Sequence, residues 1–137
     1  MTIWLRAVFT AILVALPIAA SAAGGSSQER ALLAAQDAFL AGDKAKLARH
    51  AEKIRGHTLD SYVAFWRLRL RLEEADPGEL RDFLARNEGT VLAERLRRDW
   101  LLVLGKKGQW EIFREEYSVL VKADPDVACY ALQERWR

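Results

Sequence analysis

The feature that most constrains the fold of this chain is a recurrence of apolar positions about every 33 residues. Two sets of positions share this spacing: Leu47, Leu80 and Phe113, and, four residues further on, Ala51, Leu84 and Tyr117. A period of 33 to 34 residues is typical of repeats built from two helices, close to the tetratricopeptide length. One helical hairpin cannot bury its own apolar face, so the spacing predicts an all-α fold, an α-α superhelix (solenoid) of stacked hairpins. The competing interpretation is an irregular helical bundle in which the period is coincidental.

Helical spacing and turn residues predict seven helices and no strand. Their boundaries follow Asp and Thr caps, prolines at first helical positions, and Gly or Asn at the ends. The predicted segments are one through residues 32–40, then 43–54, 59–74, 77–86, 90–104 and 109–121, and a last one from Asp124-Pro125 onward. Residues 65–72 also alternate as a β-strand would. The helix is favoured there because Arg67, Arg71 and Glu74 lie at i, i+4 and i, i+3 spacing.

The N-terminal segment has the order of a secretory signal peptide. One charge, Arg6, is followed by an apolar run over residues 7–20 and by the small-residue site Ala20-Ser21-Ala22. This order predicts a signal peptide at 1–22, cleaved after Ala22, and hence export. The competing interpretation is a retained N-terminal anchor, although Pro17 interrupts the run, which is shorter than a membrane span requires.

The remainder of the chain is long enough for one modest domain. We expect a linker at 23–27 and a helical-repeat domain at 28–137 whose last helix ends without a stop signal, as though truncated. Loss of Arg6 leaves 20 basic and 19 acidic residues, a balance that argues against nucleic-acid binding. Cys129 is the single cysteine, and we expect it to be buried as a small apolar residue.

No catalytic, cofactor-binding or metal-binding residue is predicted. His50 and His57 lie seven residues apart, which matches no helical metal pair, and we expect His50 on an exposed face and His57 in a turn. Phosphate-loop, dinucleotide and nucleophile-elbow motifs do not occur in the sequence. Acidic residues are numerous but alternate with basic ones, which is typical of solvated helix faces.

Aromatic and basic residues allow two interpretations each. We expect core packing for most of the aromatic side chains, against a sugar-stacking strip; they are Tyr62, Trp66, Trp100, Trp110, Tyr117 and Trp136. We expect a salt-bridged surface for a group of arginines, against a site for an acidic polymer such as peptidoglycan. That group is Arg67, Arg69, Arg71, Arg95, Arg97 and Arg98.

Five sequence blocks stand out along the chain: GHTLDSYVAFWRL at 56–68, FLAR at 83–86, LAERLRRDWL at 92–101, LGKKGQW at 104–110 and CYAL at 129–132. Together they resemble the N-terminal superhelical region of the soluble lytic murein transglycosylases. The resemblance implies a periplasmic protein of cell-wall turnover. It also implies contact with peptidoglycan glycan strands through a lysozyme-like domain, in which a Glu of a Glu-Ser motif is the general acid and base.

This sequence contains no Glu-Ser dipeptide, so no catalytic residue is carried over, and the chain alone is expected to be inactive. Two functions remain open. The chain is the superhelical module of a lytic transglycosylase, or it is an independent periplasmic TPR-like adaptor that binds a protein partner on its concave face. The last predicted helix, which ends without a stop signal, favours the first. Membrane contact is expected only during export.

Overall fold

The computed structural model describes residues 26–137, and this part of the chain contains seven α-helices and no strand. The helices are α1 (Ser27–Leu40), α2 (Lys44–Ala51), α3 (Asp60–Leu70), α4 (Pro77–Arg86), α5 (Val91–Lys107), α6 (Trp110–Ser118) and α7 (Pro125–Arg135). The all-α prediction is confirmed, and the segment that resembled a strand lies largely in α3. The predicted signal peptide at 1–22 and its cleavage site lie outside the described residues.

The predicted N-caps of four helices are confirmed. The side chains of Asp43, Asp76, Thr90 and Asp124 each accept a hydrogen bond from the backbone N–H three residues later, at 2.8, 3.2, 3.3 and 3.0 Å. Each bond satisfies one of the donors that the first turn of a helix leaves without a partner. These local signals explain why the starts of α2, α4, α5 and α7 follow from the sequence.

The predicted linker at 23–27 ends earlier than expected, because Ser27 is already the first residue of α1. Ser26 and Glu29 form a reciprocal capping box. The Glu29 N–H donates to Ser26 Oγ at 3.1 Å, and the Ser26 N–H donates to a Glu29 carboxylate oxygen at 2.6 Å. Ser26 is therefore the N-cap of α1.

Helix ends differ more from prediction than helix starts. α2, α3 and α6 stop three or four residues before the predicted ends at 54, 74 and 121, and α5 continues three residues beyond its predicted end at 104. Gly105, predicted to open a turn, lies inside α5. The helix ends instead at Gly108, whose φ of +69° is the left-handed conformation that favours glycine.

Two apolar clusters form the interior. The N-terminal cluster consists of Ala31, Ala35, Ala38, Leu47, Ala51, Ile54 and Val63. The central cluster consists of Phe65, Leu68, Leu72, Leu80, Phe83, Leu84, Ala93, Leu96, Trp100, Leu101, Leu104, Phe113 and Val127. The positions Leu47, Leu80 and Phe113 that share the 33-residue spacing are all about 1% exposed or less. The recurrence therefore marks buried positions.

Helix α3 separates the two clusters. Val63 belongs to the N-terminal cluster and Phe65 to the central one, because two residues along a helix turn the side chain to the opposite side. Trp66 packs against both clusters. A helix buried on two sides has no single apolar stripe, which explains why its sequence also resembles a strand.

The helices contact one another in chain order. Each described helix touches its neighbours in sequence, and the odd-numbered helices α1, α3, α5 and α7 also contact one another in succession. Within residues 26–137, no two helices more than two places apart in the chain come into backbone contact. The even-numbered helices α2, α4 and α6 begin at Lys44, Pro77 and Trp110, which are 33 residues apart.

Candidate functional site

The described residues contain no cluster of metal-binding side chains. No three of their His, Cys, Asp or Glu residues lie close enough together to hold a metal ion. His57 lies in a turn, where its Nδ1 accepts a hydrogen bond from the Leu59 N–H at 3.1 Å. His50, predicted to be exposed, is half-buried on α2 beside the N-terminal cluster, and its Nδ1 lacks a hydrogen-bond partner among the described residues.

Core packing is confirmed for most of the aromatic residues that were also considered for sugar stacking. Trp100 is buried in the central cluster, Trp66 stacks on Phe39 at a centroid distance of 5.7 Å, and Tyr117 stacks on Phe113 at 5.6 Å. Trp110 lies edge-on to Phe113. Tyr62 and Trp136 are exposed, on separate helices, so the exposed rings do not form a strip.

Ion pairs account for four of the six arginines that were considered as a polymer-binding group. Arg69 pairs with Asp99 at 2.8 Å, Arg71 pairs with Glu79, and Arg98 pairs with Asp99 at 2.7 Å; Arg97 is described below. Arg71 was expected to contact Glu74 within one helix, but α3 ends at Leu70 and Arg71 turns toward α4 instead. Salt bridges between helices therefore hold most of this basic surface.

One carboxylate is buried, which the alternation of charges did not predict. Glu116 of α6 is 7% exposed and accepts hydrogen bonds from Arg81 Nε at 3.1 Å and Arg97 Nε at 3.4 Å. Arg97 also pairs with Glu94 at 3.0 Å. A buried charge requires such partners, so this network joins α4, α5 and α6 at the edge of the central cluster.

A groove of about 570 Å³ lies between α5 and the connection from α6 to α7. We call it the α5 groove. The turn before α5, the N-terminal half of α5 and residues of the connection line it. Its lining residues are Glu88, Gly89, Thr90, Val91, Glu94, Arg95, Arg97, Arg98, Val119, Val121 and Lys122.

The α5 groove combines cations with exposed methyl groups. Arg97 and Arg98 are held by carboxylates, and the hydrogen bond to Asp99 raises the pKa of Arg98 although burial acts in the opposite direction. Among the described residues, Arg95 and Lys122 have no carboxylate within ion-pair distance. Val91, Val119 and Val121 are 67%, 55% and 84% exposed.

The sequence had indicated Arg95, Arg97 and Arg98 as candidates, and the structure places all three at the groove. It did not indicate the valines or Lys122. Val119 and Val121 fall within the helix predicted at 109–121, whereas α6 ends at Ser118 and leaves both in the connection, so no sequence signal marked them as exposed.

Cys129 was expected to be buried, and this prediction is wrong, because the residue lies exposed on α7. Of the residues of α7, only Val127 is fully buried, whereas Leu132 is 53% exposed. One side of α7 packs on α5 and α6, and none of the described helices covers the opposite side.

Comparison of the chain with protein-family models, curated proteins and solved structures finds no match. None of the helices in residues 26–137 combines the length and apolar character that a membrane span needs.

Proposed function

We propose that this chain is the superhelical module of a periplasmic lytic transglycosylase, and that its role is to restrict how glycan strands of peptidoglycan reach a lysozyme-like catalytic domain. The sequence blocks at 56–68 and 92–101 support the proposal by their resemblance to that family. Glycoside cleavage requires an enclosed carboxyl group as acid catalyst, and we assign that group to the lysozyme-like domain. Glu116, a buried carboxylate of the described residues, accepts hydrogen bonds from Arg81 and Arg97.

The observation that carries the proposal is the order of helix contacts. Contacts limited to first and second neighbours along the chain are what a stack of hairpins produces, because each repeat touches only the adjacent repeats. The 33-residue spacing of α2, α4 and α6 agrees with one hairpin per repeat. Such a stack presents a continuous row of helices, here the odd-numbered ones, along which a polymer can be guided.

A fusion experiment tests the restricting role. Purified chain, a lysozyme-like transglycosylase domain, and the domain fused behind residue 137 are each incubated with peptidoglycan sacculi, and anhydro-muropeptides are followed by chromatography and mass spectrometry. We expect no product from the chain alone, and from the fusion a product-length distribution different from that of the free domain. A fusion to an unrelated helical repeat of equal length is the control. The same distribution in all three domain-containing samples would contradict the proposal.

The second candidate is an independent periplasmic adaptor that binds a protein partner. The α5 groove favours it, because a concave surface with exposed methyl groups and unpaired cations is typical of a recognition site. Two measurements separate the candidates. An adaptor should leave the product distribution of the fused domain unchanged, and it should retain its partner in co-purification.

A further inference from the structure

We propose that the α5 groove binds a segment of a partner protein that carries both acidic and aliphatic residues. The groove consists entirely of residues of this chain, within 88–98 and 119–122. The proposal therefore does not depend on a transglycosylase domain.

The charge of the groove selects an acidic ligand. Four cationic side chains and two carboxylates line it. The carboxylate of Glu94 is already occupied by Arg97 and by the Val121 N–H, which donates to it at 3.3 Å. Arg95 and Lys122 keep their charges free for a ligand and outnumber the remaining lining carboxylate, Glu88, so the groove attracts an anionic group.

The apolar part of the lining selects aliphatic side chains. Val91 projects from the first turn of α5, and Val119 and Val121 project from the connection that faces it. Exposed methyl groups are removed from water when an apolar ligand group covers them, so this part of the lining favours a ligand that carries aliphatic side chains.

The absence of aromatic rings from this lining disfavours a glycan or a nucleic acid. None of the eleven lining residues is aromatic, whereas sugar faces and bases are usually bound by stacking on rings. A peptide segment remains the ligand whose chemistry fits both the cations and the valines.

The groove is held in shape before a ligand arrives. The Val121 N–H bond to Glu94 fixes one end of the α6–α7 connection on α5, and the ion pair of Arg98 with Asp124 at 3.6 Å fixes the other. A preformed site loses less conformational entropy on binding than a mobile loop does.

The test uses fluorescence anisotropy with three labelled dodecapeptides, in which Val alternates with Glu, Ser with Glu, or Val with Lys. We expect the Val-Glu peptide to bind most tightly. The charge-reversed variant Arg95→Glu/Lys122→Glu should bind it about tenfold more weakly or worse, and Val121→Ser should weaken binding about threefold. Chemical-shift changes on adding the peptide should map to residues 91–98 and 119–122.

The matched control is Arg49→Glu/Lys53→Glu, which reverses two exposed charges near α2 and should leave binding unchanged. Circular dichroism should show the same helix content in every variant. Equal losses in both double variants would indicate non-specific electrostatics and overturn the proposal. So would a Ser-Glu peptide that binds as well as the Val-Glu peptide, no detectable binding of the Val-Glu peptide, or binding of peptide-free glycan strands that depends on Arg95 and Lys122.

Discussion

The N-terminal and central clusters bury apolar surface in different ways. Four of the seven residues of the N-terminal cluster are alanines, whereas the central cluster has a single alanine among thirteen residues and includes Phe65, Phe83, Trp100 and Phe113. Alanines at positions 31, 35 and 38 form one stripe along α1, so the backbones of α1 and its neighbours can approach closely. Large side chains keep the helices of the central cluster further apart and fill the space between them.

This difference changes what stabilises each region. Burial of an alanine methyl group removes little apolar surface from water, and burial of a tryptophan or phenylalanine removes much more. The N-terminal region therefore depends more on hydrogen bonds at helix ends, such as the capping box of Ser26 and Glu29 and the cap of Asp43. The central region depends on side-chain packing and on the ion-pair network at its edge.

The largest effect is expected from Trp100→Ala in the central cluster. Trp100 is 3% exposed, and its truncation leaves a cavity that rigid neighbours cannot fill, so the free energy of unfolding should fall by about 3–5 kcal/mol. Urea denaturation followed by circular dichroism measures the loss. The control Trp136→Ala removes an exposed ring of the same kind and should change stability by less than about 0.5 kcal/mol. Equal effects of the two substitutions would contradict the assignment of Trp100 to the core.

How much could be predicted from the sequence depended on how local the signal was. Both ends of α4 follow from Asp76, Pro77 and Asn87, which lie within or beside the helix, and the predicted and observed bounds coincide. The end of α5 could not be predicted from such local residues. Gly105 usually stops a helix, but here it continues the helix because only glycine fits against Tyr130 of α7, a residue 25 positions away.

The burial of individual polar side chains could be predicted only in part, because it depends on residues that are distant in the sequence. Burial of Glu116 depends on Arg81 and Arg97, which belong to two other helices. A local sequence pattern does not indicate contacts between residues of different helices. Exposure of Cys129 depends on which side of α7 is covered. The general tendency of cysteine to be buried therefore gave the wrong result.

A buried charge, that of Glu116, lies at the edge of the central cluster. The described residues of the N-terminal cluster are all uncharged. Glu116→Ala removes one of the two carboxylates that pair with half-buried Arg97, which keeps Glu94, and should lower the free energy of unfolding by about 1–3 kcal/mol. The neighbouring Glu115→Ala removes an exposed partner of Arg81 and should cost less than about 1 kcal/mol. Thermal and urea denaturation of both variants check the difference. Similar values for the two would show that Glu116 is solvated in solution.

Close packing of small residues in the N-terminal cluster predicts sensitivity to larger ones. Ala35 is fully buried on α1, so Ala35→Leu must push α1 away from its neighbours and should lower stability by about 1–3 kcal/mol. Gln36→Leu introduces the same side chain at the next, exposed position of α1 and should have little effect. An Ala35→Leu variant as stable as the parent would show that the N-terminal cluster has room for larger residues, and the contrast with the central cluster would disappear.

The smallest effect on stability is expected at Gly105, where α5 and α7 of the central region approach closely. A Cβ atom at Gly105 would collide with the ring of Tyr130, so α5 and α7 are in contact there because the residue has no side chain. Gly105→Ala should gain about 1 kcal/mol from helix propensity. It should lose more than that by displacing the ring, for a net loss of about 1 kcal/mol.

In a Tyr130→Ala background the collision is absent, and the same Gly105→Ala change should stabilise the protein by about 1 kcal/mol. Urea denaturation of the four proteins in this double-mutant cycle measures the change of sign. Stabilisation in both backgrounds would mean that α7 lies further from α5 than described, and that close packing on small residues is confined to the N-terminal cluster.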